Sequence, residues 1–119
     1  MSCKECGKGY SEKHHIVFRS QQKALEHCKI NIIELCGECH RGNTGPHKNR
    51  KKDLEYKKEL QEILFEIFGD KEKYTEKEIS MLLEISELAT RRLVKTLNRH
   101  IDKYTSEDII RSCMGGRLY

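Results

Sequence analysis

Asn31-Ile32-Ile33-Glu34-Leu35-Cys36-Gly37-Glu38-Cys39-His40 is the stretch on which the reading of this 119-residue chain turns. A β-branched run leads into two cysteines at the spacing that clasps one ion, and His40 follows at once. An imidazole adjacent to Cys39 does not share its tetrahedral site, so His40 is free to face a second ion across the turn. Its partner lies upstream in Glu12-Lys13-His14-His15-Ile16-Val17-Phe18-Arg19, where two adjacent histidines lead into an apolar run that reads as a strand. Neighbours on a strand point to opposite faces, so the two imidazoles can serve different tasks.

Outward from that stretch, Cys3-x2-Cys6 and Cys36-x2-Cys39 form two knuckles with 29 residues between them, the two-plus-two thiolate set of a closed tetrahedral zinc site. Gly7, Gly9 and Gly37 supply the backbone freedom of such tight turns. Cys28 and Cys113 have no such spacing and read as small apolar fillers. Between the knuckles, residues 16–18 predict a first strand and residues 30–35 a second. Residues 20–29 fit a short helix or a long loop equally. Past the second strand, residues 39–43 begin a short helix that Gly42, Gly45 and Pro46 stop. The expected fold class is α+β, a small zinc-stapled strand, strand, helix module followed by an all-α helical region.

His14-His15-Ile16, Asn31 opening the second strand, Cys36-x2-Cys39-His40 and the preceding Cys3-x2-Cys6 together resemble the HNH endonucleases of the ββα-metal kind, in their zinc-stapled subset. The resemblance covers about residues 1–47 and implies an endodeoxyribonuclease that hydrolyses phosphodiester bonds with a single divalent ion. It implies that His14 binds the catalytic metal, that His15 is the general base, that His40 is the second metal ligand, and that Asn31 holds the base's loop by hydrogen bonding. The fullest form of the pattern has a third histidine four residues past the second; Thr44 stands there, and His47 is the substitute, as ligand or phosphate contact. The chemistry agrees: phosphodiester hydrolysis needs a base to deprotonate water and a cation to take up charge on the phosphate and the departing oxygen. Magnesium, manganese, nickel or zinc would each suit imidazoles, waters and a phosphate oxygen. Such families are frequent in phage and mobile elements, which implies a bacterial or phage-encoded context.

Charge is segregated along the chain: nine basic against five acidic residues in 1–50, seven against eleven in 51–87, and seven against three in 88–119. Two basic ends flanking an acidic middle suggest two surfaces that meet a polyanion. Arg19, Arg41 and Lys48 are the DNA contacts expected on the first module, within residues 1–50. Residues 51–70 form the connector, with an amphipathic helix over 53–68 ended by Gly69. In residues 71–119, Lys73-Tyr74-Thr75 recurs as Lys103-Tyr104-Thr105, each a helix start with Thr as cap. Helices over 76–83 and 87–98, joined by a three-residue turn, resemble a helix-turn-helix that presents Arg91, Arg92, Lys95 and Arg99, with Leu88, Leu93, Val94 and Leu97 inward. A further helix covers 109–113. A non-catalytic zinc-ribbon and helix-turn-helix DNA-binding regulator is the alternative, and a protein-interaction zinc ribbon a third reading. No apolar run reaches the ~18 residues of a membrane span and no apolar leader opens the chain, so no membrane is expected as a partner. The expectation is an intracellular, cytoplasmic protein with reduced cysteines. Cutting both strands of a duplex would call for a homodimer or two sequential events.

Overall fold

The computed structural model describes residues 2–119. Strand β1 (Glu12–His15) pairs antiparallel with β2 (Ile32–Leu35), His14 opposite Ile33 and His15 opposite Ile32. The first strand therefore lies four residues before the 16–18 stretch that β propensity favours. The ladder stops because one side chain replaces it. Asn31 Oδ1 accepts from the Val17 amide at 2.8 Å, and its Nδ2 donates to the carbonyls of Val17 at 3.0 Å and Leu25 at 3.2 Å. The Ile16 amide keeps one backbone bond, to the Asn31 carbonyl at 2.8 Å, and both Ile16 and Val17 are buried in the core.

Helix α1 (Gly37–Arg41) begins two residues before its expected start, because the Cys36 sulfur accepts from the Cys39 amide and caps it. Residues 20–29 form neither a helix of several turns nor an open loop. They hold one 3-10 turn, Lys23–Leu25, and a second turn, Lys29–Asn31, leads into β2. Helix α2 (Arg50–Ile67) starts earlier than residue 53, since the Asn49 side chain caps it at the Lys52 amide. Its inner stripe is Tyr56, Leu60 and Leu64, continued by Phe68, which meets Tyr74 edge-on at 5.1 Å. Asp53 and Lys57 extend that stripe at its N-terminal end and are buried with it as an ion pair of 2.9 Å.

The C-terminal region runs β3 (Lys73–Thr75), α3 (Glu76–Leu83), α4 (Glu87–Val94), β4 (Lys103–Thr105) and α5 (Ser106–Cys113). The repeated Lys-Tyr-Thr pairs with itself, Tyr74 opposite Tyr104, so a two-stranded ladder joins the expected helices. Each Thr then caps the helix that follows. Thr75 Oγ1 accepts from the Glu78 amide at 3.2 Å while Glu78 Oε1 accepts from the Thr75 amide at 2.9 Å, and Thr105 Oγ1 accepts from the Asp108 amide at 3.2 Å.

Helix α4 ends at Val94, not 98, because the chain must reverse for β4 to reach β3. His100 and Lys103 exchange backbone hydrogen bonds of 2.7 and 3.1 Å around Ile101, whose φ is 66°. Leu88 points outward, 56% exposed, while Thr90, Leu93 and Val94 take the inner face. Three and four residues on, Arg91 and Arg92 share its outer side.

The long loop between β1 and β2 is bound to these helices. Gln22 Nε2 donates to the Ser112 carbonyl at 2.8 Å, Ser112 Oγ to the Leu93 carbonyl at 2.6 Å, and Cys28 Sγ to the Leu83 carbonyl at 3.4 Å. One buried apolar cluster accordingly runs from Cys3 to Met114 and includes Cys28 and Cys113. Among the described residues no helix is long and apolar enough to cross a membrane.

Candidate functional site

Two groups of metal-ligating side chains form, one on each side of the Cys39-His40 pair. The Sγ atoms of Cys3, Cys6, Cys36 and Cys39 all lie within 4.8 Å of one another, and Cys6 Sγ is 3.6 Å from Cys36 Sγ. That is near the edge of a sulfur tetrahedron with metal bonds of about 2.3 Å. Gly7, at a φ of +76°, closes the first knuckle with its amide on the Cys3 carbonyl at 3.0 Å.

The thiols of this cluster differ in acidity. Burial pushes the Cys3 thiol up, but amide donors at Cys36, Cys6 and Glu5 outweigh it and bring it to about 6. The Cys36 sulfur beside it, then burial, pushes Cys39 up to about 12. Four sulfurs this close ionise together only around a cation, so the donor set fits zinc.

The second group is His14, His40 and His47, whose ring nitrogens also lie within 4.8 Å of one another. His14 sits on β1, nearly inaccessible, and its Nε2 has no hydrogen-bond partner. An orphaned buried nitrogen with two other imidazoles close by fits a donor set for a cation. Burial, and then the charges of His40 and His47, holds His14 down at about 3, so at neutral pH it offers a lone pair. Burial, then His40, lowers His47 as well. His40 Nε2 and His47 Nε2 stand 2.9 Å apart, within a few tenths of an ångström of the edge two nitrogens span on one ion with bonds of about 2.1 Å.

His47 reaches this point because the chain folds back hard against α1. A side chain at Gly45 would lie 2.6 Å from the carbonyl oxygens of Cys39 and His40, so only glycine permits the return. The amides of Lys48 and Asn49 then close on the Gly45 carbonyl at 3.1 and 2.8 Å.

His15 lines the same cleft, which has a volume of about 420 Å³, together with Lys13, Phe18, Arg19 and Ser20. Its Nε2 lies 2.8 Å from the Glu26 carbonyl oxygen. A carbonyl only accepts, so Nε2 carries the hydrogen and Nδ1 of the neutral ring is the basic nitrogen. Asn31, wholly buried, ties Val17 and Leu25 at either end of the loop that brings Glu26 there. Asn31→Ala strands the Val17 amide and carbonyl in the core, while the Leu25 carbonyl keeps the Cys28 amide, and it should cost about 2–4 kcal/mol of stability by urea unfolding. A loss under about 1 kcal/mol would mean that the loop is held by other contacts.

Four residues of the site were not singled out from the sequence. Glu12 Oε1 accepts from His40 Nδ1 at 2.6 Å, which turns His40 Nε2 toward the cluster; that bond holds the Glu12 carboxyl below its usual range. Two residues before His14 on one strand, Glu12 shares its face, and period-two alternation was the available signal. Phe18 stacks on His47 at 5.4 Å and 23° and meets His14 edge-on at 5.9 Å. Lys13 and Ser20 complete the rim and carry no motif that marks them.

The basic residues divide. Arg19 is on the rim and within 3.6 Å of Glu26. Arg41 Nε donates to Glu12 Oε1 at 2.8 Å, which ties it to the carboxylate that orients His40. Lys48 is exposed just past His47. Arg91, Arg92 and Lys95 are exposed on or at the end of α4, Arg99 lies in the turn beyond it, and none of the four lines the histidine cleft. Compared with protein-family models, with curated proteins and with solved structures, the chain matches none.

Proposed function

We propose that this chain is a metal-dependent endonuclease that hydrolyses phosphodiester bonds in DNA, with His15 as general base. The observation that supports it is the sharing of one cleft by three convergent imidazole nitrogens and a fourth imidazole with a basic nitrogen to spare. His15 Nδ1 takes the proton from a water as that water attacks phosphorus, and the Nε2–H bond to the Glu26 carbonyl steadies the imidazolium that results. Asn31 keeps that carbonyl in place through the loop. Lys13 and Arg19 on the rim draw the phosphate toward the histidines. A divalent ion held by His14, His40 and His47 would supply positive charge beside the phosphate and the departing oxygen.

Such chemistry does not distinguish bases. Sequence preference belongs to the outer face of α4, where Arg91, Arg92 and Lys95 would meet a groove, with Lys48 on the backbone. One cleft per chain nicks one strand, so a double-strand break needs a homodimer or a second event.

Supercoiled plasmid tests the reading. With magnesium, manganese, nickel or zinc present, the protein should convert it to open circles, and chelation should stop the reaction. Plasmid left intact with every ion, yet retarded on a gel in a salt-dependent way, would instead mark a non-catalytic DNA-binding regulator, the reading that the exposed basic face of α4 favours.

A further inference from the structure

Helix α2 carries two ionised groups where its stripe should be apolar. Asp53 and Lys57 occupy successive turns in phase with Leu60 and Leu64, and they are 7% and 3% exposed. Buried pairs of this kind are poor stabilisers compared with apolar residues of the same volume, so their presence calls for another account. Two observations point to one. Lys57 Nζ, 2.9 Å from Asp53 Oδ2, sits 4.4 Å from the centre of the Phe18 ring, and Phe18 is the ring that stacks on His47 and touches His14. Asp53 Oδ1 is buried without any hydrogen-bond partner, so Lys57 satisfies only half of the carboxylate.

We propose that Asp53 and Lys57 are positioning residues that set how tightly the three-histidine cluster holds its cation. Asp53 contributes a buried negative charge, linked to the cluster through Lys57 and the Phe18 ring that stacks on His47. Lys57 offsets that charge from its place over the Phe18 ring, 4.4 Å from its centre. Inside a low-dielectric interior each charge acts on a dication with opposite sign, and the pair leaves the site balanced between capture and release.

The proposal rests on the histidine cluster being a cation site, not on the reaction performed there. Its test is calorimetric titration of manganese into the zinc-loaded 119-residue chain, with circular dichroism to confirm folding. Wild type should bind one manganese ion. Asp53→Asn should weaken that binding at least about tenfold, Lys57→Met should tighten it, and the double variant should return close to wild type. A pair that only props up the helix would shift both single variants in the same direction or leave the affinity alone, and either result overturns the role. If Asp53→Asn unfolds, Lys57→Met and the double variant still decide the sign. Wild type that takes up no manganese overturns the cation site and this role with it, a failure distinct from variants that bind alike.

Discussion

His15→Ala should lower plasmid nicking by about 10²–10⁴-fold if His15 is the general base we propose, the share of rate that a positioned base contributes, while manganese binding and the unfolding midpoint should stay close to wild type. The expectation follows from where the ring stands. His15 lies on the cleft wall with Nε2 donated to the Glu26 carbonyl, and it is not one of the three clustered imidazoles. Half-buried and bonded once, it can be truncated at the cost of a single neutral hydrogen bond, about 1 kcal/mol of stability. Rate and binding should therefore separate. Were nicking to fall only a few-fold, the base would have to be another group, and were manganese lost along with activity, His15 would belong to the cation site. His14→Ala and His40→Ala give the contrast, because both remove a ring nitrogen of the cluster.

Removing the ion from the four cysteines should have the largest effect on the fold. Zinc held by four thiolates contributes about 10–16 kcal/mol of binding energy in small zinc-folded units, all of it folding energy where no site exists in the unfolded chain. Here the knuckles join residues 3–6 to 36–39, and Cys36 also caps α1, the helix that carries His40. Cys36→Ser, or a strong chelator acting on wild type, should melt β1, β2 and α1 and abolish manganese binding at the histidines with them. Acid should do the same as the thiolates regain protons. Far-UV circular dichroism read beside the zinc content checks this outcome. A zinc-free chain with a native spectrum would show that hydrophobic packing alone holds the module.

The Asn31 amide explains why the first strand was misplaced by propensity. Residues 16–18 are apolar enough for a strand, but the side chain of Asn31 takes the Val17 backbone bonds, and the ladder moves back onto the polar Glu12–His15. Lys57, a charged residue, is buried because it falls in phase with Leu60 and Leu64. Leu88 was read inward for its apolarity and faces out, because the inner face of α4 is taken by Thr90, Leu93 and Val94.

Spacing alone determined the two cysteine knuckles, the adjacent histidines with His40 behind them, and the Thr caps of α3 and α5. Each depends on residues a few positions apart along a strand, turn or helix start, where the backbone leaves little choice. Only the tertiary structure decided how His47, already a candidate, folds back to meet His14 and His40, that Glu12 aims His40, and that the Lys-Tyr-Thr repeat pairs with itself. Those arrangements join segments from distant parts of the chain. They follow from how tightly Gly45 lets the backbone approach α1 and from which surfaces the shared core brings together, neither of which any local window of residues encodes.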